Sequence, residues 1–166
     1  VKAIALGYDT IPSINPDTGE PATRKGTPAD HFPLPFANDI AARAANNNAI
    51  PPDLSYITRA RHGGADYVYS LLTGYADQAG YKNAAGEEML KAFPDVKTPT
   101  GLHFNPYFAN LNIAMPPPLK SEGQVQYADG TKPTVDNMAR DVSAFRVWAG
   151  DPNLETRHQY GFFSVI

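Results

Sequence analysis

Residues 101–119 carry the most distinctive chemistry in the sequence. They read GLHFNPYFANLNIAMPPPL, without a helical or strand period. Met115 provides a thioether, a soft, neutral and weak metal ligand of the kind that raises the reduction potential of a haem iron. The prolines at 116–118 fix successive φ angles and remove N–H donors, so the backbone after Met115 is stiff. Such a loop is suited to holding a weak ligand.

Two simpler interpretations of this segment stay open on the residues alone. A methionine in an apolar sequence usually fills a gap in a core, and we interpret Met89 and Met138 in that way. A proline run is typical of a polyproline linker or of a ligand for an aromatic-lined groove. Spacing alone therefore does not separate a metal ligand from a packing residue or from a non-redox interaction module.

Composition narrows the class of protein. A length of 166 residues indicates one domain, and 42% hydrophobic residues are enough to bury a core. The net charge of -3 disfavours a nucleic-acid partner. Because the sequence has no cysteine, these residues supply neither a disulfide nor a thiolate metal ligand.

Familiar catalytic motifs are missing from these residues. The sequence contains no GxSxG elbow, no HExxH pair, no P-loop and no GxGxxG turn. The histidines lie far apart, and none forms an i, i+3 or i, i+4 pair, which disfavours a helical zinc site. We interpret each of them as a polar surface or capping residue, and the adjacent Glu87 and Glu88 as a solvated pair.

The elements that position this segment are predicted to be mainly α-helical. An alanine-rich helix within 36–48 is expected to begin at Asn38 or Asp39 and to end at a run of asparagines. A short helix is expected over 87–91. Another is expected to begin at Asn153 and to run to the end of the sequence.

A helical hairpin is predicted over 51–75. Its first helix is expected to begin at the prolines 51–52 and Asp53, since the first N–H groups of a helix need no internal acceptor and a carboxylate suits the positive end of the dipole. The glycines at 63–64 break this helix. The second helix is expected over 65–75, where apolar residues recur at helical spacing.

The clearest helix is predicted to begin at Thr134. Its apolar residues recur at i, i+3, i+7, i+10 and i+13 and predict one buried stripe, formed by Val135, Met138, Val142, Phe145 and Trp148.

Irregular structure is expected over 9–35 and most of 93–133, with a short hairpin around the Asp-Gly pair at 129–130. Residues 1–8 have the pattern of the end of a helix, and the apolar run over 160–166 has the pattern of the first part of a membrane span. Both ends are therefore expected to be edges of a longer protein.

Four blocks of the sequence resemble the cytochrome c1 family. They occur in the family's order and cover most of the chain after about residue 32: IPPDLSYITRARHGGADYVYSLLTGY at 50–75, GLHFNPYF at 101–108, IAMPPPL at 113–119 and VQYADGTKPT…MARDVSAFRVWAGDPNLETRH at 125–158. The length of the segment between Tyr75 and Gly101 resembles the alphaproteobacterial members more than the compact mitochondrial ones.

The resemblance implies a mainly α, cytochrome c-like haem domain with long irregular loops and a C-terminal helix that leads into a membrane anchor. Residues 1–152 would form part of the haem domain, and residues 153–166 would begin the anchor helix. The implied function is that of the electron-carrier subunit of ubiquinol:cytochrome c oxidoreductase, respiratory complex III, with no catalysis of its own. Its haem c would take an electron from the Rieske iron-sulfur protein and pass it to a soluble or membrane-bound cytochrome c.

The resemblance also implies a location and further partners. The protein would lie beside cytochrome b in the bacterial inner membrane with its haem domain on the periplasmic side, or in the mitochondrial inner membrane facing the intermembrane space. Acidic side chains could attract a basic cytochrome c, although a solvated helix surface explains them equally well: Asp136, Asp141, Asp151 and Glu155.

Carried over position by position, the resemblance assigns Met115 as the axial sulfur ligand of the iron. It assigns Arg61 as the partner of a haem propionate, for which a guanidinium is well suited. The other matched positions line the haem pocket: Asn46, Pro51, Pro52, Ile57, Tyr67, Leu72 and Phe108. His62 is left as a polar neighbour, because the family's histidine ligand lies in a CxxCH motif.

The sequence departs from the family pattern in two places. Without cysteine it forms neither thioether bond to haem, and we expect the CxxCH segment to lie upstream of Val1. Pro116 stands where many members have alanine, and the additional ring is expected to stiffen the Met115 loop further.

Overall fold

The computed structural model describes residues 11–27, 30 and 34–165. The chain divides into two compact units, residues 1–41 and 42–166. The helix end expected over residues 1–8 lies outside the described residues.

The first unit contains an antiparallel hairpin. Strand β1 (Ile11–Ile14) pairs with β2 (Pro21–Arg24), with Ile11 opposite Arg24. The turn is closed by the Asn15 N–H, which donates to the Glu20 carbonyl at 2.9 Å. An irregular loop over the whole of 9–35 is therefore wrong for these residues. The strands are short and rich in proline, which hides the period on which sequence reasoning depends.

Helix α1 (Asp39–Ala45) confirms the predicted alanine-rich helix. The Asn38 side chain accepts a hydrogen bond from the Ala41 N–H at 2.9 Å, which is the geometry of an N-terminal cap. The helix is followed by Asn47 and Asn48 with φ angles of 55° and 66°, a left-handed conformation that asparagine tolerates better than most residues.

The predicted helical hairpin is present, but its first helix is shorter than expected. Helix α2 covers only Ile57–Ala60, because the Asp53 carboxylate accepts hydrogen bonds from the N–H and the hydroxyl of Ser55 and forms a turn instead of a helix start. Helix α3 (Gly64–Thr73) follows as predicted. Gly63 precedes it with a φ of 86°, a conformation that favours glycine.

Two short elements follow α3. Helix α4 (Met89–Ala92) confirms the short helix expected near 87–91, and a 3₁₀ turn covers Pro94–Val96. The buried Gln78 side chain joins the two ends of this region: its Nε2 donates to the Val96 carbonyl at 2.6 Å, and its Oε1 accepts from the Thr98 N–H at 2.8 Å. Residues 79–95 therefore form a loop whose two ends are held together by the hydrogen bonds of Gln78.

A second, minimal antiparallel pair joins β3 (His103–Phe104) to β4 (Asn112–Ile113), with His103 opposite Ile113. Sequence reasoning missed this pair, since two-residue strands have no measurable period. Conversely, the Asp-Gly pair at 129–130 forms a turn without flanking strands, so the hairpin expected there is wrong.

Helix α5 (Val135–Gly150) confirms the clearest sequence prediction. Thr134 caps it by accepting a hydrogen bond from the Asn137 N–H at 3.1 Å. Met138 is 2% exposed and belongs to the core as predicted, but Val142 and Phe145 are 37% and 38% exposed.

The buried face of α5 is instead formed largely by small residues, since Ala139, Ser143 and Gly150 are buried. Helices α2 and α3 pack against this face. A Cβ at Gly150 would lie 3.4 Å from the hydroxyl oxygen of Thr58 in α2, so α5 and α2 are in contact there. The prediction followed apolar residues alone and therefore missed this face of small side chains, which lets neighbouring elements pack close to the α5 backbone.

The last helix, α6 (Leu154–Val165), begins where the sequence predicts. The carboxylate of Asp151 lies between α5 and α6 and binds Arg59 of α2 at 2.6 Å and Arg157 of α6 at 2.5 Å. The architecture is mainly helical with few short strands, as predicted. Among the described residues, no helix combines the length and the apolar character needed to span a membrane.

Candidate functional site

Met115 lies two residues after β4 in an irregular segment, and its side chain is half-buried. The hydroxyl of Tyr75 donates a hydrogen bond to the Met115 carbonyl at 3.0 Å. Burial raises the pKa of Tyr75 to about 12, so the hydroxyl keeps its proton and remains a donor at neutral pH. The main chain at Met115 is thus held by a side chain that comes from the end of α3.

The proline segment after Met115 is closed at its far end by one side chain. The Nε2 of Gln124 donates to the Pro118 carbonyl at 2.9 Å, and its Oε1 accepts from the Lys120 N–H at 3.0 Å. Sequence reasoning missed Gln124, because a glutamine in a polar loop carries no signal of its own.

The loop between β3 and β4 is organised by Asn105, whose side chain is fully buried. Its Nδ2 donates to the carbonyl of Leu71 in α3 at 2.8 Å, and its Oδ1 accepts from the Tyr107 N–H at 3.1 Å. The Asn105 carbonyl also accepts from the Phe108 N–H at 3.1 Å. These bonds attach the half-buried Phe108 to the end of α3.

Gly74 allows the same loop to approach α3. A Cβ at this position would lie 2.5 Å from the Ser70 carbonyl oxygen and 2.8 Å from Cε2 of Tyr107. Only glycine fits there without a shift of the Tyr107 ring. The C-terminal end of α3 therefore positions both the Phe108 loop and the Met115 segment.

Arg61 follows α2 directly and is exposed. Within the described part of the chain, its guanidinium makes no hydrogen bond or ion pair, whereas nearby Arg59 is bound to Asp151. The exposed neighbour His62 likewise has no bond from its side chain to the described residues. As far as the described residues extend, Arg61 is therefore the arginine of this helix pair that is free to bind an anion.

The remaining predicted lining residues belong to the same unit of the chain. Ile57 on α2 and Tyr67 and Leu72 on α3 are half-buried, and the two helices pack together. Asn46 is half-buried and donates to the Ala42 carbonyl at 2.8 Å.

The asparagine next to it, Asn47, donates to the Gly101 carbonyl at 2.9 Å and so connects the end of α1 with the start of the β3 region. Pro51 and Pro52 are exposed between α1 and α2, and none of the hydrogen bonds of the described residues ties them to the other predicted lining residues.

Hard metal ligands do not gather anywhere in the described ranges. No group of three or more histidine, aspartate or glutamate residues there could hold a metal ion. His31 lies outside the described residues, and the ring of His103 contacts Tyr75 edge-on at 6.4 Å between centroids. The predicted site is therefore left with the soft thioether of Met115, the guanidinium of Arg61, which makes no bond to the described residues, and a set of half-buried apolar side chains.

The fold and these groups define a mainly helical domain that presents a thioether on a proline-stiffened segment. A family model described as the Cytochrome C1 family matches residues 1–166. The chain belongs to this family, as the sequence blocks predicted.

Individual relatives agree with the family match. Cytochrome c1 of Rhodospirillum rubrum is 46% identical over 168 residues, which cover 97% of this chain and 59% of the relative. A protein of Arabidopsis thaliana named cytochrome c1 1, heme protein, mitochondrial is 44% identical, over 97% of this chain and 47% of its own length.

A cytochrome b-c1 complex catalytic subunit, mitochondrial, of Candida albicans is 44% identical over 99% of this chain and 52% of its own length. The chain thus spans about half the length of these relatives.

Proposed function

We propose that this chain contains part of the haem domain in the electron-carrier subunit of a ubiquinol:cytochrome c oxidoreductase. The observation that carries the proposal is the half-buried Met115, held at its carbonyl by Tyr75 and followed by prolines, in a chain of the cytochrome c1 family. Relatives are named heme proteins and a subunit of the cytochrome b-c1 complex, which supports haem as the cofactor.

The residues present fit a haem by their chemistry. A thioether is a suitable weak axial ligand for haem iron, and the half-buried Ile57, Tyr67 and Leu72 offer partly exposed apolar surface to a flat macrocycle. When bound, the haem supplies an iron centre that accepts and releases one electron. Met115 would hold that iron from one side, and the apolar side chains would exclude water from it.

Arg61 would bind a haem propionate. Its guanidinium is free within the described residues and exposed, so it needs to break no existing ion pair to do so. A bidentate bond between a guanidinium and a carboxylate is charge-assisted and geometrically specific. Asn46, Pro51, Pro52 and Phe108 are proposed as further lining positions on the strength of the family match.

Covalent attachment of the haem would use residues outside this sequence. The 166 residues contain no cysteine, so both thioether bonds and the histidine ligand of a CxxCH motif would come from elsewhere. The coverage of about half of each relative supports this arrangement. Residues 1–152 are proposed as haem domain and 153–166 as the start of a helix that leads to a membrane anchor.

The proposed partners are cytochrome b, the Rieske iron-sulfur protein and a soluble or membrane-bound cytochrome c. The proposed location is an inner membrane, with the haem domain on the periplasmic side in bacteria or facing the intermembrane space in mitochondria. Two of the four acidic residues considered for docking are paired with cations within the chain: Asp136 binds Arg140, and Asp151 binds two arginines. Their contribution to steering a basic cytochrome c is therefore expected to be small. Asp141 accepts a hydrogen bond from the neutral Tyr127, and Glu155 makes no bond to the described residues, so these two are the proposed steering charges.

The proposal is tested by replacing Met115 with leucine in the full-length protein after haem loading. Met115→Leu should lower the midpoint potential by on the order of 0.1 V, within the range of about 0.8 V that axial ligands span. Met89→Leu is the matched control, since Met89 is also half-buried but lies on α4. A potential that is the same in both variants would exclude Met115 as a ligand, and a protein that takes up no haem would favour the interaction module.

A further inference from the structure

The carbonyl of Met115 is not satisfied by a local turn. A β-turn would bring the N–H of residue 118 to this carbonyl, but residue 118 is proline and has no N–H. Within the described residues, the N–H of Leu119 makes no hydrogen bond to it either. Strand β4 ends at Ile113, so its ladder does not reach Met115 either. A buried or half-buried carbonyl without a partner is unfavourable, and some other donor has to hold this one.

Tyr75 supplies that donor and contacts the strand pair that leads to Met115. It lies two residues after the end of α3, and its hydroxyl reaches the Met115 carbonyl at 3.0 Å. Its ring contacts the ring of His103 edge-on, with 6.4 Å between centroids. His103 in turn is paired with Ile113, two residues before Met115. The same side chain thus touches β3 and the segment that follows β4.

We propose that Tyr75 is a positioning residue for Met115, which transmits the fixed position of α3 to the methionine main chain and keeps the sulfur at the iron. This inference rests on the proposed function, because it assigns a role to Tyr75 through the methionine ligand. The hydrogen bond holds the Met115 main chain, while the prolines make the following backbone too stiff to compensate for its loss. The ligand is weak, so its occupancy depends on how well the loop is held.

Removing the Tyr75 hydroxyl should weaken the bond between the methionine sulfur and the iron, while the haem stays bound. The net strength of an ordinary hydrogen bond corresponds to about a fivefold change in an equilibrium constant. Tyr75→Phe keeps the ring and its contact with His103, so the fraction of protein with the methionine detached should rise about fivefold.

The experiment uses the full-length, haem-loaded protein and measures the binding of added imidazole to the ferric iron, with which the methionine competes. Tyr75→Phe should bind imidazole about fivefold more tightly than the unmodified protein. The matched control is Tyr81→Phe: Tyr81 is also half-buried and its ring packs on Phe104, but its hydroxyl has no bond to the described residues. The control should bind imidazole as the unmodified protein does.

A second measurement follows the loop directly. Amide hydrogen exchange at Ala114 and Leu119 should be faster in Tyr75→Phe than in Tyr81→Phe. Equal imidazole affinities and equal exchange rates in the two variants would overturn the inference.

Met115→Leu in the same imidazole assay separates this inference from the proposed function. If Met115→Leu leaves imidazole affinity unchanged, the methionine is not a ligand, and both the proposed function and the role of Tyr75 fail. If Met115→Leu increases the affinity strongly while Tyr75→Phe matches its control, the ligand assignment stands and only the role of Tyr75 fails.

Discussion

The helical region and the irregular region of residues 42–166 are held by different kinds of contact. In α3 and α5, backbone hydrogen bonds are local, and the two helices pack through buried residues such as Val68 and Ala139. In the segment 101–124, single side chains hold the backbone instead: Asn105 binds Leu71, Tyr75 binds Met115, and Gln124 binds Pro118.

This difference matters for what each region tolerates. A helix distributes its stability over many equivalent bonds, so one altered side chain removes a small part of it. An irregular segment has few alternatives for each carbonyl, and a lost donor leaves a buried polar group without a partner. The irregular segment should therefore be the more sensitive of the two to single substitutions.

The largest effect is expected from Asn105→Ala. This change removes two hydrogen bonds from a fully buried side chain and leaves the Leu71 carbonyl and the Tyr107 N–H without their partner. The expected loss is about 3 kcal/mol of unfolding free energy, measured by denaturant titration. Asn110→Ala, an exposed position in the same loop, is the control. Equal losses at both positions would contradict the proposed sensitivity of the loop.

A smaller effect is expected where a helix depends on one cap. Thr134→Ala removes the hydroxyl that accepts from the Asn137 N–H at the start of α5. The expected cost is about 1 kcal/mol, again from denaturant titration. Thr100→Ala, at an exposed turn position, should leave the unfolding free energy nearly unchanged. A cost at Thr134 larger than that at Asn105 would reverse the comparison between the two regions.

The smallest effect is expected at the ion pairs of Asp151. Hydrogen bonding to Arg157, followed by the positive charges of Arg157 and Arg59, lowers the pKa of the Asp151 carboxyl below its usual value. A lowered folded-state pKa stabilises the protein above the ordinary aspartate pKa, and this contribution is lost as the pH falls through the folded value. In Asp151→Asn, the free energy of unfolding should therefore fall slightly less steeply as the pH is lowered into the acid range.

The pH effect at Asp151 is checked by unfolding experiments from neutral pH into the acid range, at low and high salt. Arg157→Gln, alone and combined with Asp151→Asn, isolates the contribution of the pair. The coupling should shrink at high salt, because these side chains are near solvent. The same dependence of the unfolding free energy on acid pH in the unmodified protein, the two single variants and the double variant would show that the pair contributes nothing.

The sequence predicts the helices better than the strands and the contacts. Helices α3, α5 and α6 were predicted because periodic apolar residues, a glycine break and caps are local signals. The predicted start of α2 was wrong, since the Asp53 carboxylate accepts hydrogen bonds from Ser55 in a local turn that replaces the first turn of the helix. The predicted buried stripe of α5 was partly wrong. The buried residues of this helix include alanine, serine and glycine, whereas Val142 and Phe145 are exposed.

The candidate site was predicted in a different way. Met115, Arg61 and the lining residues came from the resemblance to a family, and they remain a proposal. Their supports were not predicted at all: Tyr75 is 40 residues from Met115, and Asn105 is 34 residues from Leu71. No local pattern in the sequence indicates pairs that are so distant.

The hydrogen bonds of Gln78 to Val96 and Thr98 affect how this chain tolerates insertions and deletions. Residues 79–95 make their own internal bonds, such as the Met89 N–H to the Tyr81 carbonyl at 2.9 Å, and their two ends are fixed at Val96 and Thr98. Tyr81 packs on Phe104 of β3, but residues 84–87 are exposed, and a change of length there is expected to be absorbed before the chain reaches β3. We therefore expect that the chain can gain or lose residues at this turn while the Met115 segment keeps its geometry.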